Sequence, residues 1–379
     1  MFNLFFGLIK LKPIAIFVLI QILTLGCSVK TDSKSDFQIN SELLTIELPG
    51  STSANLIKPS ILNVDSVEYL ACYNYQDYSI SVFNLTQRSY FKRIELEREG
   101  PNFISTVGSI SIIAMDSILV VNNNFITLIN FEGLVIDRMG INFSAQDLSN
   151  LNFSEIELVY NQYSGLQYDS SDGSILLEVR WLGRNQQKSS NKPTIAKVNF
   201  FDRKIEYLNV DISDDFLVPD GFYGDLSRLG FWRMDSSFIY NSGLSSSIYF
   251  FNEVNMERRV IPSDHINDFV APMSRGLALS NEYRIGYEIK SEQFYTIAFD
   301  PYRNFLYRVH RGALEEENTN ADFYLVIASL ESETIMEIPF PADYLVYPII
   351  SQEGLMYMAY NKYDDRLEIL KLKIEDDSN

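Results

Sequence analysis

Apolar and polar positions along this chain alternate in short bursts. From Leu43 onward, runs of about four to eight residues rich in Val, Ile, Leu, Phe and Tyr are separated by Gly, Asn, Asp and Ser, the pattern of strands and hairpins. One unit recurs inside that pattern: a large apolar residue, then Asp or Ser, then usually Ser or Pro, just before a new apolar run. The copies are Val64-Asp65-Ser66, Met115-Asp116-Ser117, Tyr168-Asp169-Ser170, Met234-Asp235-Ser236, Phe299-Asp300-Pro301 and a decayed Ile350-Ser351-Gln352. Their central positions lie 51 to 66 residues apart, the period of a β-propeller with one blade per copy.

Each copy lays out as a four-stranded blade. The repeated unit ends the innermost strand and opens the first hairpin, where the Asp side chain caps backbone N–H groups two residues on. The second strand ends in Tyr73-Asn74, Val121-Asn122, Tyr240-Asn241 or Tyr360-Asn361, with Arg180-Trp181 and Val309-His310 in the other two copies. Third strands are predicted at 79–84, 125–130, 195–200, 247–252, 323–329 and 367–373, and fourth strands at 91–96, 134–139, 204–210, 257–261 and 334–338. The sixth copy runs out of chain after its third strand, and a spare strand, 43–48, stands upstream of the first. The expected fold is all-β, a six-bladed propeller whose last blade is closed by the N-terminal strand, because such a ring has no open edge. An open β-sandwich or two stacked β domains is the alternative, and neither needs a sixfold repeat.

The first 26 residues change the picture of where the domain resides. Their only charges are Lys10 and Lys12, and a short apolar stretch from Pro13 to Leu25 ends in Gly26-Cys27. This reads as an export signal over 1–26, too short to span a membrane as an ordinary helix. Leu23-Thr24-Leu25-Gly26-Cys27 resembles a bacterial lipobox, which implies diacylation (palmitate or a similar chain) at Cys27. An uncleaved anchor or a plain secretory peptide is the alternative. Residues 27–40 are polar and read as a flexible tether, leaving 41–379 as the propeller domain.

With the repeat and lipobox in hand, the chain resembles the uncharacterised six-bladed β-propeller lipoproteins of Gram-negative bacteria. Glu99-Gly100-Pro101-Asn102, after the fourth strand of the first blade, is similar to the Gly-Pro turn of those families. The resemblance implies a propeller anchored to the outer membrane, periplasmic or surface-facing, and brings no catalytic residues.

Charge narrows the partners. Without the signal, 29 basic residues face 50 acidic ones, a net charge of −21, which argues against nucleic acid and against a polybasic membrane patch. The mature body keeps one thiol, Cys72, in an apolar run, so a disulfide framework is excluded within the chain. The two histidines, His265 and His310, fall in different repeats, which argues against a His metal cluster or a Ser-His-Asp triad. Asp169-Ser170-Ser171-Asp172-Gly173 lacks calcium-loop spacing and reads as a hairpin turn. No metal or cofactor is implied.

Propeller geometry supplies the remaining expectation. The second-to-third-strand loops and the inter-blade crossings open on one face, which gathers Asn74, Tyr75, Asn122, Trp181, Arg184, Asn241, His310, Arg311 and Asn361. Rings and amides around a mouth suit a glycan or a peptide. The plainer reading of the repeated Tyr-Asn pairs is that they cap strand ends. The sequence therefore reads as a non-enzymatic binding or scaffolding module, with an envelope protein as another partner class. A glycan- or peptide-acting lyase or hydrolase at the mouth is the alternative.

Overall fold

Neighbouring apolar runs joined by tight turns pair in sequence order, and in the computed structural model they do so six times. The structure describes residues 37–376 apart from 51, 54, 123–124, 142–155, 160–165, 182–194, 209, 211–222, 224–225, 227, 235–236, 253–254, 268–269, 275–279, 315–320, 331–334 and 360–364. The chain opens with β1 (Phe37–Glu47). Blade I follows as β2 (Leu56–Val64), β3 (Val67–Asn74), β4 (Ser79–Asn84) and β5 (Ser89–Glu95). Blade II is β6 (Ser109–Ala114), β7 (Ser117–Val121), β8 (Phe125–Ile129) and β9 (Val135–Gly140). In blade III the innermost strand is broken into β10 (Ile156–Val159) and β11 (Tyr168–Asp169), both paired with β12 (Ser174–Trp181), followed by β13 (Ile195–Asn199) and β14 (Lys204–Leu208).

Blade IV comprises β15 (Leu229–Met234), β16 (Ser237–Ser242), β17 (Ser247–Asn252) and β18 (Asn255–Val260). A helix, α1 (Asn281–Lys290), lies in the crossing to blade V. There the innermost strand is again split, into β19 (Gln293–Phe294) and β20 (Ala298–Asp300), ahead of β21 (Phe305–Arg311), β22 (Phe323–Ser329) and β23 (Ile335–Phe340). Blade VI holds β24 (Ile349–Ser351), β25 (Gly354–Met358) and β26 (Arg366–Asp376), and β1 supplies its fourth strand. The protein is a six-bladed propeller.

The repeated Asp residues sit in the first hairpins, each by its own means. Asp65 and Ser66 both have left-handed φ, 48° and 66°, so the blade I turn twists with its strands. Asp169 accepts from the Ser171 N–H at 2.7 Å, and Asp300 accepts from Tyr302 and Arg303 N–H at 2.9 and 3.2 Å. Asp116 departs from this scheme: its carboxylate reaches the Phe131 N–H at 2.6 Å and ties the two hairpins of blade II together. Asp235 lies outside the described residues. A second repeat, at the end of the third strand, does the matching work in the outer hairpins. The Oδ1 atoms of Asn84, Asn130, Asn199 and Asn252 accept from Gln87, Glu132, Asp202 and Asn255 N–H at 2.8, 3.1, 2.8 and 2.8 Å.

Packing follows from strands that are apolar on both sides. In β3, Leu70 and Cys72 face blade VI while Ala71 and Tyr73 face blade II. In β25, Leu355 and Tyr357 face blade V while Met356 and Met358 face blade I. The same alternation around the ring makes six apolar cores, one between each pair of consecutive blades. Cys72 is fully buried, and burial pushes its thiol pKa up.

Closure takes the expected form. β1 runs antiparallel to β26 with Leu43 opposite Leu370 and Ile46 opposite Leu367. The pairing starts at Phe37, so residues 37–40 belong to the strand. A polar clasp reinforces the seam: buried Glu68 of blade I accepts from the Ser351 hydroxyl at 2.6 Å and the Gln352 N–H at 2.8 Å in blade VI.

The register makes a test. Leu44 and Ile46 are 3% and 1% exposed, whereas Leu43 is 52% exposed. Leu44→Ala and Ile46→Ala should each cost about 2–5 kcal/mol, and Leu43→Asp less than about 0.5 kcal/mol, in denaturant unfolding. The reverse order would show β1 slipped by one residue.

Candidate functional site

The innermost strands of five blades converge on a central cavity of about 270 Å³. Residues 59–63 of β2, 111–113 of β6, Tyr168 of β11, Trp232 of β15 and Ile349 and Ile350 of β24 contribute to its wall. These positions favour the ends of the innermost strands that lead into the first hairpins. The cavity therefore lies toward that side of the ring, away from the second-to-third-strand loops. Its polar groups are hydroxyls and amides, among them Ser60, Ser111, Asn63 and Gln167, and its rings are Tyr168, Trp232 and Tyr347. Among the described residues, none in the wall carries a formal charge at neutral pH. Ser60 Oγ also accepts from the Ile112 N–H at 3.0 Å, which fixes blade I against blade II at the wall.

One residue before the wall begins, β2 is irregular. Its pairing with β3 shifts between Ile57 and Ser60, and Lys58 takes φ 55°, a left-handed conformation uncommon for a residue with a Cβ. Pro59, which cannot donate to the ladder, accounts for the bulge. Lys58 is only 8% exposed, and its ammonium lies 5.4 Å from the ring centre of Tyr347, a wall residue from blade VI. Burial, with repulsion from Arg228 at the start of blade IV, lowers the Lys58 pKa from 10.5 to about 8.

The ionic groups nearest the first hairpins join neighbouring blades. Arg233 of β15 pairs with Asp169 at 2.7 Å and lies 3.7 Å from Asp172, which Lys197 also meets at 2.8 Å. Burial alone would raise the Asp172 pKa, but hydrogen bonds from Lys197 and Ser174 and the charge of Arg233 outweigh it and bring it to about 2. The segment 169–173 is thus a hairpin turn held by cations of the protein itself. Arg303 bonds Asp300 at 2.7 Å and the carbonyls of Ser351 and Gln352 at 3.2 and 2.6 Å, linking blades V and VI. Among the described residues, no group of three or more His, Cys, Asp or Glu side chains could hold a metal ion.

The residues expected on the opposite face meet varied fates, and those among the described residues do not line the cavity. Asn74 is fully buried, accepting from Gln76 and Asp77 N–H at 3.1 Å each and donating to the Ser53 carbonyl at 2.7 Å. Asn122 accepts from the Phe125 N–H at 2.8 Å, and Asn241 bridges to Tyr295 O and Ile297 N in blade V at 3.0 Å each. All three serve the turn or the next blade, as the plainer reading had it. His310 is drawn fully inward, its Nε2 accepting from Arg308 Nε at 2.9 Å and its ring edge-on to Phe294. Burial and the Arg308 charge hold its pKa well below the usual value. Arg311 donates to Glu288 and Ser291 carbonyls at 2.5 and 2.9 Å and so caps the C-terminal end of α1. Tyr75 remains on the surface, 73% exposed. Trp181 ends β12, while its side chain, Arg184 and Asn361 lie outside the described residues, as does Cys27.

Sequence reasoning missed the cavity and Lys58. A Pro inside an innermost strand was the available signal, since it demands a bulge there. The uncharged wall had none, because its residues are separated by more than 280 positions and only the ring unites them.

Residues 34–337 match the family model described as a domain of unknown function, DUF4221, and the chain belongs to that family. It is similar in structure to a DUF4221 member from Bacteroides vulgatus, with TM-score 0.75 and 17% identity over 90% of this chain and 99% of that one. It is also similar to a Bacteroides fragilis protein provisionally named as exported, with TM-score 0.56 and 12% identity over 89% of this chain and 95% of that one. No curated protein matches the sequence.

The state of Lys58 is testable through pH. Between its folded pKa of about 8 and its ordinary 10.5, the unfolded chain holds a proton that the folded chain has released, so stability rises with pH across that interval. Below it both states are protonated and the full cost of burying the charge is carried. The stability lag of wild type behind Lys58→Met, followed by urea unfolding, should shrink as pH rises from about 7 to about 10. A difference that stays constant contradicts a desolvated amine.

Proposed function

We propose that this chain is a lipid-anchored binding module of the bacterial cell envelope that takes a small glycan or peptide in the central cavity. The observation that carries the reading is the cavity wall: rings, hydroxyls and amides from five blades around a volume fit for one small ligand. Tyr168, Trp232 and Tyr347 offer apolar faces to a sugar ring or side chain, and Asn63 and Gln167 offer hydrogen bonds. Hydrolysis of a glycoside would call for two carboxylates flanking the ligand, and among the described residues the wall supplies none.

The envelope location rests on the lipobox-like Leu23 to Cys27 and is supported by the exported designation of the Bacteroides fragilis neighbour. Among the described residues, no helix is long and apolar enough to cross a membrane. One acyl chain binds membranes only marginally, so a stable hold needs two or more at Cys27.

Two measurements test this reading. On glycan and peptide arrays, Gln167→Ala should weaken any ligand by about tenfold, one hydrogen bond's worth, and Ile113→Trp should abolish binding by filling the cavity. Arrays on which both variants bind as wild type would move the site elsewhere. Mass spectrometry of the mature N-terminus should find an acylated Cys27, with Cys27→Ala released from the membrane fraction. An unmodified Cys27 removes the anchor.

A further inference from the structure

The chain enters the propeller on a definite side. As the outer strand of blade VI, β1 begins at Phe37 on the side of the hairpins and ends at Glu47 on the loop face. Residues 27–36 separate that starting point from Cys27. However they are arranged, a segment of that length reaches at most about 36 Å. The 11 residues of β1 carry the chain about 35 Å from Phe37 to the loop face. A lipid on Cys27 could therefore bring the loop face to a bilayer only with the connecting segment stretched straight along the blade, one arrangement among very many. The hairpin face needs no such extension.

Exposed apolar side chains do not settle the orientation by number, since the loop face carries Tyr75, Phe103 and, on α1, Tyr283, Ile285 and Ile289. On the hairpin side they are grouped. Met115 sits in the first hairpin of blade II, Leu134 and Ile136 at its outer hairpin, and Phe201 in the outer hairpin of blade III, all four exposed. An ion pair between Asp137 and Arg203 ties the outer edges of these two blades together beside them. Blade III stands across the ring from blade VI. The chain thus enters at one rim of the hairpin face, and an apolar group lies at the opposite rim.

A stable hold on a membrane takes two signals. We propose that the hairpin face is a membrane-contact surface: Met115, Leu134, Ile136 and Phe201 rest among the headgroups of a zwitterionic lipid bilayer, while acyl chains at Cys27 hold the other rim. With net charge −21 outside the signal, the domain is repelled by anionic lipid, so an apolar second contact suits it and a basic one is not needed. The central cavity lies toward the same side, which places it next to the bilayer. The inference rests on Cys27 being acylated, and adds to it the stance of the domain on the membrane.

The test uses the full-length mature protein, purified from membranes and reconstituted on vesicles of phosphatidylethanolamine and phosphatidylcholine with a rhodamine acceptor on the headgroups. A nitrobenzoxadiazole donor is placed on Asp202→Cys at the hairpin face or on Tyr75→Cys at the loop face, and Cys72, fully buried, stays unlabelled. Energy transfer from position 202 should be at least about twofold that from position 75, since β1 alone sets the faces tens of ångströms apart. Emission from position 202 should also shift to the blue on vesicles. Phe201→Ser combined with Leu134→Ser should remove that shift and leave the Tm unchanged, because both side chains are exposed. Equal transfer from the two positions, or more from position 75, overturns the contact surface and leaves the anchor standing, as does a blue shift that survives both substitutions. Protein that fails to float with the vesicles removes the anchor and the contact surface with it.

Discussion

Every blade of this molecule is apolar on both faces, and that single property dictates the architecture. A sheet with two apolar faces needs a neighbour on each side, and a row of such sheets leaves two uncovered ends unless it closes on itself. The ring closes at blade VI, where the first described strand, β1, pairs with the last, β26, residue for residue from Phe37 to Glu47. Polar contacts reinforce the junctions between blades: Glu68 to Ser351 across the seam, Arg303 to blade VI, Arg233 to Asp169 and Asp172. These buried and half-buried charges are met by hydrogen bonds or by an opposite charge, which is the condition under which such groups persist in a core.

Closing six blades also fixes what lies at the axis. Several innermost strands are irregular: β2 bulges at Lys58 and Pro59, and blades III and V split theirs in two. Near the axis blades IV and V approach so closely that a Cβ on Gly230 would meet Thr296 Oγ1 at 2.5 Å. Where the innermost strands of blades I and III depart from regular pairing they line the cavity, and the hydroxyls, amides and rings of its wall are groups that can engage a ligand.

The sequence revealed the ring well and the chamber poorly, for a physical reason. Blade count and closure are written in local signals, the Asp turn at a steady period and the spare strand ahead of the first copy. The turn asparagines were equally local, and Asn84, Asn130, Asn199 and Asn252 form a second register that confirms the blades. The chamber is non-local: its wall takes a few residues from each of five blades, and no short window contains it. The same limit explains the loop face. Asn74, Asn122 and Asn241 recur because turns recur, and His310 and Arg311 were placed by burial and by the helix α1, neither of which strand spacing shows.

The two tryptophans of the chain divide the competing sites between them. Trp232 lines the central cavity, and Trp181 ends β12 at the opposite face. Trp181→Phe leaves a reporter in the cavity, and Trp232→Phe leaves one at the end of β12. In fluorescence titrations of both variants with galacturonate, galactose and Ala-Ala, a binding probe should change the emission of Trp232 and leave that of Trp181 unaltered. A response from Trp181 with none from Trp232 would put the site on the loop face and contradict the central-cavity account.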